Sequence, residues 1–411
     1  MDNNQQILVH LLAAAIRGEN INNNRLNNIN WNKIFKLAKE QDIYSMLYPV
    51  IKNIYDNWMP KNEIIFEWKK ATILASLRQA QNINGLGSVL INFNKAKIQV
   101  VGLKGLVLRD FYPVKEFRTM SDSDLLVHIE DLDKARSIIL GLGYFERVRG
   151  PKDIVFLHKS FLPIELHWQL LDKKRFKNTN YLEKSIWENT QEINIGGSVI
   201  LTPSLENQIL YLCLHMASHF MYSGFGLRQL CDLVVLVESQ EDKINWNRFY
   251  ENVKKYKIEN FIKAIFEVCR RLFRMDIPKV LYDKDLENIK YIDMIIQNIF
   301  VGGVHGGIYG TVNWGPVYNN ILYYYKSNKQ SDNIVVKAKY MVGLLFLTSH
   351  KLPERYSYAK QHRMFLPIAW VHRLIRGIFR KDLYVDLKSL IFRSQSDFYK
   401  KRIELFKWLD L

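Results

Sequence analysis

The sequence is poor in cysteine, with Cys213, Cys231 and Cys269 as its only three thiols among 411 residues. They lie far apart and have the spacing of neither a zinc site nor a redox pair. No apolar run approaches the roughly 18 residues that cross a bilayer. Residues 1–6 lack the basic start of a signal peptide. These absences predict a protein of the reducing cytoplasm without a transmembrane segment.

Three familiar site signatures are missing as well. No stretch has the P-loop spacing G-x-x-x-x-G-K-[ST]. His215 and His219 stand four residues apart, but without the glutamate of H-E-x-x-H a zinc pair is disfavoured. The two histidines are interpreted as a polar seam facing a cleft, with satisfied core histidines as the alternative. The glycine-rich residues 300–316 lack a strand–turn–helix context and are interpreted as a loop, or as a lid over a cleft.

The sequence contains enough apolar residues to form the cores of two or three folded domains. Hydrophobic residues make up 48% and aromatic residues 13% of the chain. The net charge is +17, and residues 326–411 hold 18 Lys or Arg against 7 Asp or Glu. This basic region can attract RNA, an acidic protein or a membrane surface, or it can simply be a solvated face. The predicted helix 364–380 within it is basic and partly amphipathic.

Hydrophobic periodicity predicts an α+β fold with three parts. Residues 1–95 are predicted helical, with Asn30 as a cap and a long helix over 62–93 that has a possible break at Gly85–Gly87. Residues 96–202 are predicted to form a small mixed β-sheet core. Residues 203–411 are predicted to be a helical half.

Acidic residues in the predicted sheet are the main candidates for chemistry. Asp122 and Asp124 begin a strand and, being two residues apart, point to the same face. Two carboxylates so close repel each other unless a cation lies between them, and Mg²⁺ is the simplest such cation. Ordinary turn chemistry of Asp and Ser is the alternative.

A third acid follows on a later predicted strand. Glu165 lies within an apolar run and shares a face with His167. A buried carboxylate needs a partner, which is either a metal ion or one of the many Lys and Arg side chains.

A glycine turn precedes the acids. Gly102, Lys104 and Gly105 follow a short strand and precede a helix start. Glycines let the backbone come close to a ligand, and Lys104 is a point charge for phosphate. The sequence therefore predicts that this turn lies beside Asp122, Asp124 and Glu165.

At this point the residues resemble a known family. Residues about 98–235 are similar to the uncharacterised nucleotidyltransferases of bacteria, within the polymerase-β-like superfamily. The motifs that carry the resemblance stand in order as Leu103-Lys104-Gly105, Arg118 to Val127 with the pattern R-x-x-x-D-x-D-L-L-V, Gly143-Tyr144, Glu165 to Trp168 with the pattern E-L-H-W, Leu212 to His219, and Cys231-Asp232-Leu233. In the wider superfamily the turn is usually Gly-Gly or Gly-Ser and lies closer to the acids, whereas here Lys104 takes the place of the serine.

The resemblance implies a nucleotidyltransferase that moves a nucleoside monophosphate from an NTP, such as ATP, to an acceptor hydroxyl or phosphate. Asp122, Asp124 and Glu165 would bind two Mg²⁺ ions and carry catalysis. The triphosphate would be held by Gly102, Lys104, Gly105 and Arg118, although Arg118 can equally be a structural partner of the acids. The acceptor side would be formed by the helical residues 203–411 and lined by His215, His219 and Arg228.

Two further functions remain open. The same chemistry can act on RNA, as in a toxin that modifies transfer RNA, instead of on a small molecule, peptide or saccharide. A catalytically inactive nucleotide-binding or scaffold protein is the other alternative, which the presence of all three acids disfavours. Neither the acceptor nor the preferred NTP follows from the sequence.

Overall fold

The computed structural model describes residues 1–21, 28–54, 58–172, 176, 178–222, 224–284, 290–302, 346, 349, 352, 356–379 and 397–411. The chain forms two compact units. The first comprises residues 1–312 together with 409–411, and the second comprises residues 313–408. The predicted boundaries at residues 95 and 202 both fall inside the first unit, and the division into three parts stays a prediction.

Among the described residues, four helices precede the first strand. They are α1 (Asn3–Arg17), α2 (Trp31–Glu40), α3 (Tyr44–Ile51) and α4 (Asn62–Lys95). The side chain of Asn30 accepts a hydrogen bond from the Lys33 amide, which confirms the predicted cap of α2.

The long helix α4 is unbroken, so the predicted break at Gly85–Gly87 is wrong. Both glycines face neighbouring parts of the chain. A Cβ atom on Gly85 would lie 2.6 Å from the Phe161 ring, and one on Gly87 would overlap the carbonyl oxygen of Gly196. The glycines therefore permit close packing of α4 against the sheet, and the surrounding core offsets their low helix propensity.

Replacing Gly87 by alanine is expected to destabilise the protein by about 1–3 kcal/mol, because the new methyl group meets backbone atoms that cannot rotate away. Urea unfolding followed by circular dichroism measures the change. Gly141→Ala is the control, since Gly141 is also a helical residue, the last of α6, but has open space at its Cβ position. We expect Gly141→Ala to be neutral or slightly stabilising; equal losses in both variants would contradict the packing explanation.

A seven-stranded mixed sheet forms the centre of the first unit. Its strands are β1 (Val100–Gly102), β2 (Ser123–Val127), β3 (Phe145–Arg149), β4 (Asp153–Leu157), β5 (Ile164–His167), β6 (Thr190–Ile195) and β7 (Ser198–Pro203). Their order is β3-β4-β5-β2-β1-β7-β6. The pairs β2–β5 and β1–β7 are parallel and the other neighbours are antiparallel. This arrangement confirms the predicted α+β fold with a mixed sheet.

The connections of the sheet also follow the predicted pattern. A short helix, α5 (Gly105–Leu108), follows β1, and α6 (Leu132–Gly141) follows β2. Gly196 and Gly197 both have positive φ angles and turn β6 back into β7, as expected for a two-residue hairpin turn. One face of the sheet packs in a core with α4 and α6 that includes Val89, Phe93, Leu125 and Ile139.

Helices make up most of the other described residues of the first unit. They are α7 (Thr179–Glu188), α8 (Leu205–Tyr222), α9 (Leu227–Ser239), α10 (Trp246–Tyr256), α11 (Glu259–Phe273) and α12 (Lys290–Gly302). The three cysteines lie on α8, α9 and α11, where each is fully buried and free. Burial raises the pKa of all three thiols, so they are structural side chains and not reactive ones.

The described part of the second unit is helical. It contains α13 (Ser357–Gln361), α14 (Leu366–Phe379) and α15 (Asp397–Trp408). Leu352, Tyr356, Ala359 and Ala369 form a small apolar cluster. The helix predicted over 364–380 is confirmed as α14. The predicted loop or lid over residues 300–316 lies outside the described residues, apart from residues 300–302 at the end of α12.

Among the described helices, none combines the length and the apolar character that crossing a membrane requires.

Candidate active site

The two parallel strands β2 and β5 place two of the predicted acids side by side. Asp124 on β2 is the register partner of Glu165 on β5, so their side chains leave the sheet on the same face. The carboxyl groups of both residues and the imidazole of His167 each offer one ligand atom, and these atoms all lie within 4.8 Å of one another. Residues 41 positions apart in sequence thus form one compact polar cluster.

His167 links the two strands through its ring. Its Nε2 lies 2.9 Å from Oδ1 of Asp124 and 3.6 Å from Oε2 of Glu165. Because an ionised carboxylate only accepts hydrogen bonds, the Nε2–H donates to Asp124. The other nitrogen, Nδ1, is buried without a hydrogen-bond partner and lies 3.8 Å from Oδ2 of Asp153. Burial lowers the pKa of His167 against the opposing effect of Asp124, so a neutral imidazole is favoured at pH 7.

Lys104 supplies the positive charge of this cluster. Its Nζ lies 2.7 Å from the same Oδ1 atom of Asp124 that accepts from His167. Its ammonium also lies 5.9 Å from the centre of the Tyr211 ring. Burial would favour the neutral amine, but the negative charge of Asp124 keeps the pKa of Lys104 well above its ordinary value. Lys104 therefore stays charged and neutralises Asp124.

Asp122 precedes β2 by one residue and is partly buried. Burial and the negative charge of Asp124 raise the pKa of Asp122, while Lys104 and Arg228 lower it. The electrostatic coupling of the two aspartates means that a cation which binds one of them also stabilises the charged form of the other.

The acids differ in how easily they ionise. Burial disfavours the charged form of Asp124, but Lys104 and the hydrogen bond from His167 outweigh burial and hold its pKa below the ordinary range. Burial and the charge of Asp124 raise the pKa of Glu165 to about 7. At neutral pH, Asp124 is therefore an anion, whereas Glu165 is poised between its two forms.

The glycine turn lies next to the acids, as its place before β2 in the sheet requires. Leu103 donates its amide to the carbonyl of Asp124, which ties the turn to β2. Lys104 itself has a positive φ of 52°, a conformation that side chains other than glycine rarely adopt. A Cβ on Gly102 would lie 2.9 Å from the Ile200 side chain, and one on Gly105 would overlap the guanidinium of Arg118. In the structure, both glycines thus make room for neighbouring side chains.

Arg118 and Arg228 lie behind this turn in buried ion pairs. Arg118 donates from Nε to Oδ1 of Asp232 at 2.9 Å and from Nη2 to the other carboxylate oxygen. Arg228 pairs with Asp42 and donates to the Thr119 carbonyl at 3.2 Å. The phosphate contact predicted for Arg118 and the acceptor side predicted for Arg228 stay predictions. The contacts of both side chains are with the protein itself.

His215 and His219 line a cleft that opens beside the acid cluster. The Nε2 atoms of the two histidines lie 3.1 Å apart, close enough for one ring to donate to the other. The cleft has a volume of about 230 Å³, and its lining includes Lys104, Lys152, Glu165, Phe176, Tyr211, His215 and His219. Burial and the nearby charge of Lys104 lower the pKa of His215 well below its ordinary value. His215 and His219 therefore share a cleft with Glu165 and Lys104, and their interpretation as a polar seam on the acceptor side stays a prediction.

The donor set fits a hard divalent cation. Carboxylate oxygens from Asp122, Asp124 and Glu165 are the ligands that Mg²⁺ prefers, and two of the three residues lie within shared reach. The ammonium of Lys104 now occupies the position of a counter-ion on Asp124. A divalent ion would take over that role and release Lys104 towards other anions.

Several site residues have roles that the sequence did not indicate. His167 was placed on the face of Glu165, but its hydrogen bond to Asp124 depends on the pairing of β2 with β5. Asp42 lies 186 residues from its partner Arg228, and Asp232 lies 114 residues from its partner Arg118. Asp232 stands in the Cys231-Asp232-Leu233 motif, which was a usable signal, whereas no pattern marks Asp42.

The chain matches the model of a known protein family. A family model described as "Uncharacterised nucleotidyltransferase" matches residues 27–274, which is more than half of the chain. A search of curated proteins gives no match.

Two solved structures show weak similarity. A crystal structure of the lincosamide antibiotic adenylyltransferase LnuA with lincomycin bound is 17% identical, covers 37% of this chain and 94% of its own, and has a TM-score of 0.28. A solution structure of the antibiotic-resistance factor ANT(2'')-Ia is 12% identical, covers 43% of this chain and 94% of its own, and has a TM-score of 0.33. Both scores lie below 0.5, so neither similarity carries further weight.

Proposed function

Because this chain belongs to the family of uncharacterised nucleotidyltransferases and is itself a nucleotidyltransferase, we propose that it transfers a nucleoside monophosphate from an NTP to an acceptor hydroxyl or phosphate and releases pyrophosphate. The observation that carries the proposal is the buried cluster of Asp124, Glu165 and His167, with ligand atoms within 4.8 Å of one another and Lys104 on the same aspartate.

Asp122, Asp124 and Glu165 are the proposed ligands of two Mg²⁺ ions. When bound, such ions neutralise the phosphate oxygens and lower the pKa of the attacking hydroxyl. Asp124 is suited to this task because its lowered pKa keeps it ionised at every physiological pH. Asp122, one residue before β2, is the proposed second aspartate ligand, because the negative charge of Asp124 already acts on it and raises its pKa.

The triphosphate is proposed to lie at the glycine turn. Lys104 already holds its ammonium against a carboxylate oxygen, and a phosphate oxygen offers the same kind of partner once a divalent ion neutralises Asp124. Gly102 and Gly105 add no side chains of their own beside Lys104, and the room that they leave is taken by Ile200 and by the Arg118 guanidinium. The positive charge of the Arg118 guanidinium, which lies against Gly105, is proposed to favour the triphosphate as well.

Glu165 is the proposed base for the acceptor hydroxyl. Its pKa of about 7 in the absence of a metal ion lies near the value that proton transfer at neutral pH favours. The carboxyl group also faces the cleft lined by His215 and His219, from which the acceptor is proposed to approach. A small molecule, a peptide or a saccharide from a biosynthetic pathway is the proposed acceptor class.

RNA is the second candidate acceptor, because the net charge of +17 favours binding of a polyanion. Labelled NTPs incubated with the protein and a cell extract, followed by mass analysis of the labelled product, decide between the two classes. Acceptor binding to RNA would weaken steeply with added salt, since each neutralised phosphate releases a counter-ion. A labelled small molecule whose binding hardly depends on salt would exclude RNA.

Thermal unfolding with Mg²⁺ and each NTP tests the proposal most directly. A ligand at about 100 times its dissociation constant stabilises the folded state by roughly 2.7 kcal/mol. We therefore expect a raised melting temperature that requires both Mg²⁺ and the preferred NTP, which is proposed to be ATP. No stabilisation by any NTP with Mg²⁺ would favour the scaffold alternative.

Stabilisation by Mg²⁺ is also expected to depend on pH. Glu165 has a folded-state pKa near 7, above its ordinary value of 4.5, so the metal-free protein gains stability from the bound proton below pH 4.5 and loses that gain as the pH rises to 7. Mg²⁺ competes with this proton. The concentration of Mg²⁺ that gives half-maximal stabilisation should therefore decrease as the pH rises from 6 to 8. In Glu165→Gln this pH dependence should disappear, and a parent protein without it would contradict the assignment of Glu165 as a ligand.

A further inference from the structure

The segment that leads into β2, residues 118–122, has no regular structure, although its first three residues are buried. Between the 3₁₀ turn Lys115–Phe117 and the start of β2, the exposed fractions of Arg118, Thr119 and Met120 are 5%, 4% and 5%. A buried backbone without a helix or a strand must find other partners for its polar groups. The partners found here show what holds this segment.

Three carbonyl groups of the segment and of Phe117 just before it accept hydrogen bonds from buried or partly buried side chains. Ser45 on α3 donates to Phe117 at 2.6 Å, and Gln79 on α4 donates to Met120 at 3.2 Å. The carbonyl of Thr119 accepts from two guanidinium groups, Nη1 of Arg118 at 2.6 Å and Nη1 of Arg228 at 3.2 Å.

Each of these two arginines is fixed by a carboxylate from another element. Arg118 makes a two-point ion pair with Asp232 on α9, and Asp232 also accepts from the Tyr112 hydroxyl at 2.8 Å. Arg228, itself on α9, pairs with Asp42 in the connection between α2 and α3. The carbonyl of Asp42 in turn accepts from the Thr119 hydroxyl at 3.2 Å.

The glycine turn takes part in the same arrangement. Gly105 has no Cβ, and the Arg118 guanidinium lies in the space that a Cβ would need. A larger residue at position 105 would push Arg118 away from Thr119 and Asp232. The turn and the acid-bearing segment are therefore coupled through one side chain.

We propose that Arg118 and Arg228 are positioning residues. Each is held by an ion pair, Arg118 with Asp232 and Arg228 with Asp42, and each donates a hydrogen bond to the Thr119 carbonyl. These bonds fix Asp122 and Asp124 in the geometry that binds the divalent cation. This inference rests on the proposed function of the acids. It also gives the N-terminal helices a role in catalysis, because Asp42, Ser45 and Gln79 all hold this segment.

The test uses the full chain and the variants Asp42→Asn and Arg228→Lys. Asp42 is partly exposed, so the loss of its charge is tolerable for folding, and lysine keeps the charge of Arg228 but cannot reach two partners with a planar fork. Glu238→Gln is the matched control, because it removes a partly exposed carboxylate from an arginine pair at the far end of α9.

Hydrogen exchange measured by mass spectrometry reports on the segment directly. Peptides covering residues 117–124 should exchange about tenfold faster in Asp42→Asn and Arg228→Lys than in the parent, and at the parent rate in Glu238→Gln. Unchanged exchange of these peptides in both variants would overturn the proposal.

A titration with Mg²⁺ alone, read by thermal unfolding, links the segment to the acids. The Mg²⁺ concentration for half-maximal stabilisation should rise several-fold in both variants and stay constant in Glu238→Gln, while excess Mg²⁺ restores the full stabilisation. Faster exchange with an unchanged Mg²⁺ requirement would show a merely structural role and overturn the positioning of the acids. A parent protein that does not respond to Mg²⁺ would instead count against the proposed function, and the exchange data would still decide whether the arginines fix the segment.

Discussion

Asp124→Asn is expected to reduce nucleotide transfer by about 10²- to 10³-fold or more, because the variant would lose a proposed ligand of a divalent cation, and such a cation supplies several kcal/mol of transition-state stabilisation. The substitution is nearly isosteric and keeps one oxygen that can accept from His167 or Lys104. The rate of transfer of an α-labelled nucleotide from an NTP to the components of a cell extract measures the effect. The stabilisation by Mg²⁺ with NTP should be lost in parallel.

Asp133→Asn provides the control for Asp124→Asn, since Asp133 is an exposed aspartate in the first turn of α6. Its rate should equal that of the parent. Circular dichroism must show a folded Asp124→Asn protein, because this residue is buried. A folded Asp124→Asn variant that transfers nucleotide at the parent rate would refute the catalytic assignment of the acid cluster.

Asp232→Ala is expected to cost about 3–5 kcal/mol of unfolding free energy, the range for removing one partner of a buried ion pair. The side chains of Arg118 and Asp232 are only 6% and 3% exposed, so water cannot replace the lost carboxylate. The Tyr112 hydroxyl loses its acceptor in the same variant. Urea unfolding of the full chain, monitored by tryptophan fluorescence, gives the change in stability.

A control and a double variant separate this explanation from a general loss of packing. Glu188→Ala breaks an exposed pair with Lys184 at 3.6 Å and should change the stability by less than about 0.5 kcal/mol. The double variant Arg118→Met/Asp232→Leu removes both buried charges and should regain a large part of the loss. If the double variant is less stable than Asp232→Ala, the uncompensated charge of Arg118 is not the cause.

The sequence predicts the local parts of the site well, because each part is encoded within a few residues. The alternation of Asp122, Ser123 and Asp124, the apolar strand that follows and the glycine pair of the β6–β7 turn need only short-range patterns. The order of the motifs then leads to the family and the sheet. This is why the α+β fold and the proximity of Asp124 and Glu165 could be predicted.

Distant partners could not be predicted in the same way. Whether Arg118 faces a phosphate or a carboxylate depends on the position of α9, which is set by packing and not by any pattern near Arg118. The glycines of α4 suggested a break for the same reason, since their close contacts with Phe161 and Gly196 come from other parts of the chain. In both cases tertiary packing, and not the local sequence pattern, determines the structure.

The order of the strands has a consequence for synthesis on the ribosome. β1 and β2 are made early and can pair at once, but β5 follows about forty residues after β2, and β7 pairs with β1 about one hundred residues after it. Until β5 is made, the nascent chain carries Asp124 without Glu165, and until β7 is made, the three-residue strand β1 has one open edge. The acid cluster is therefore assembled late, by contacts of high sequence separation that slow folding. Newly made chains that have not reached β7 are the species for which a chaperone would matter most.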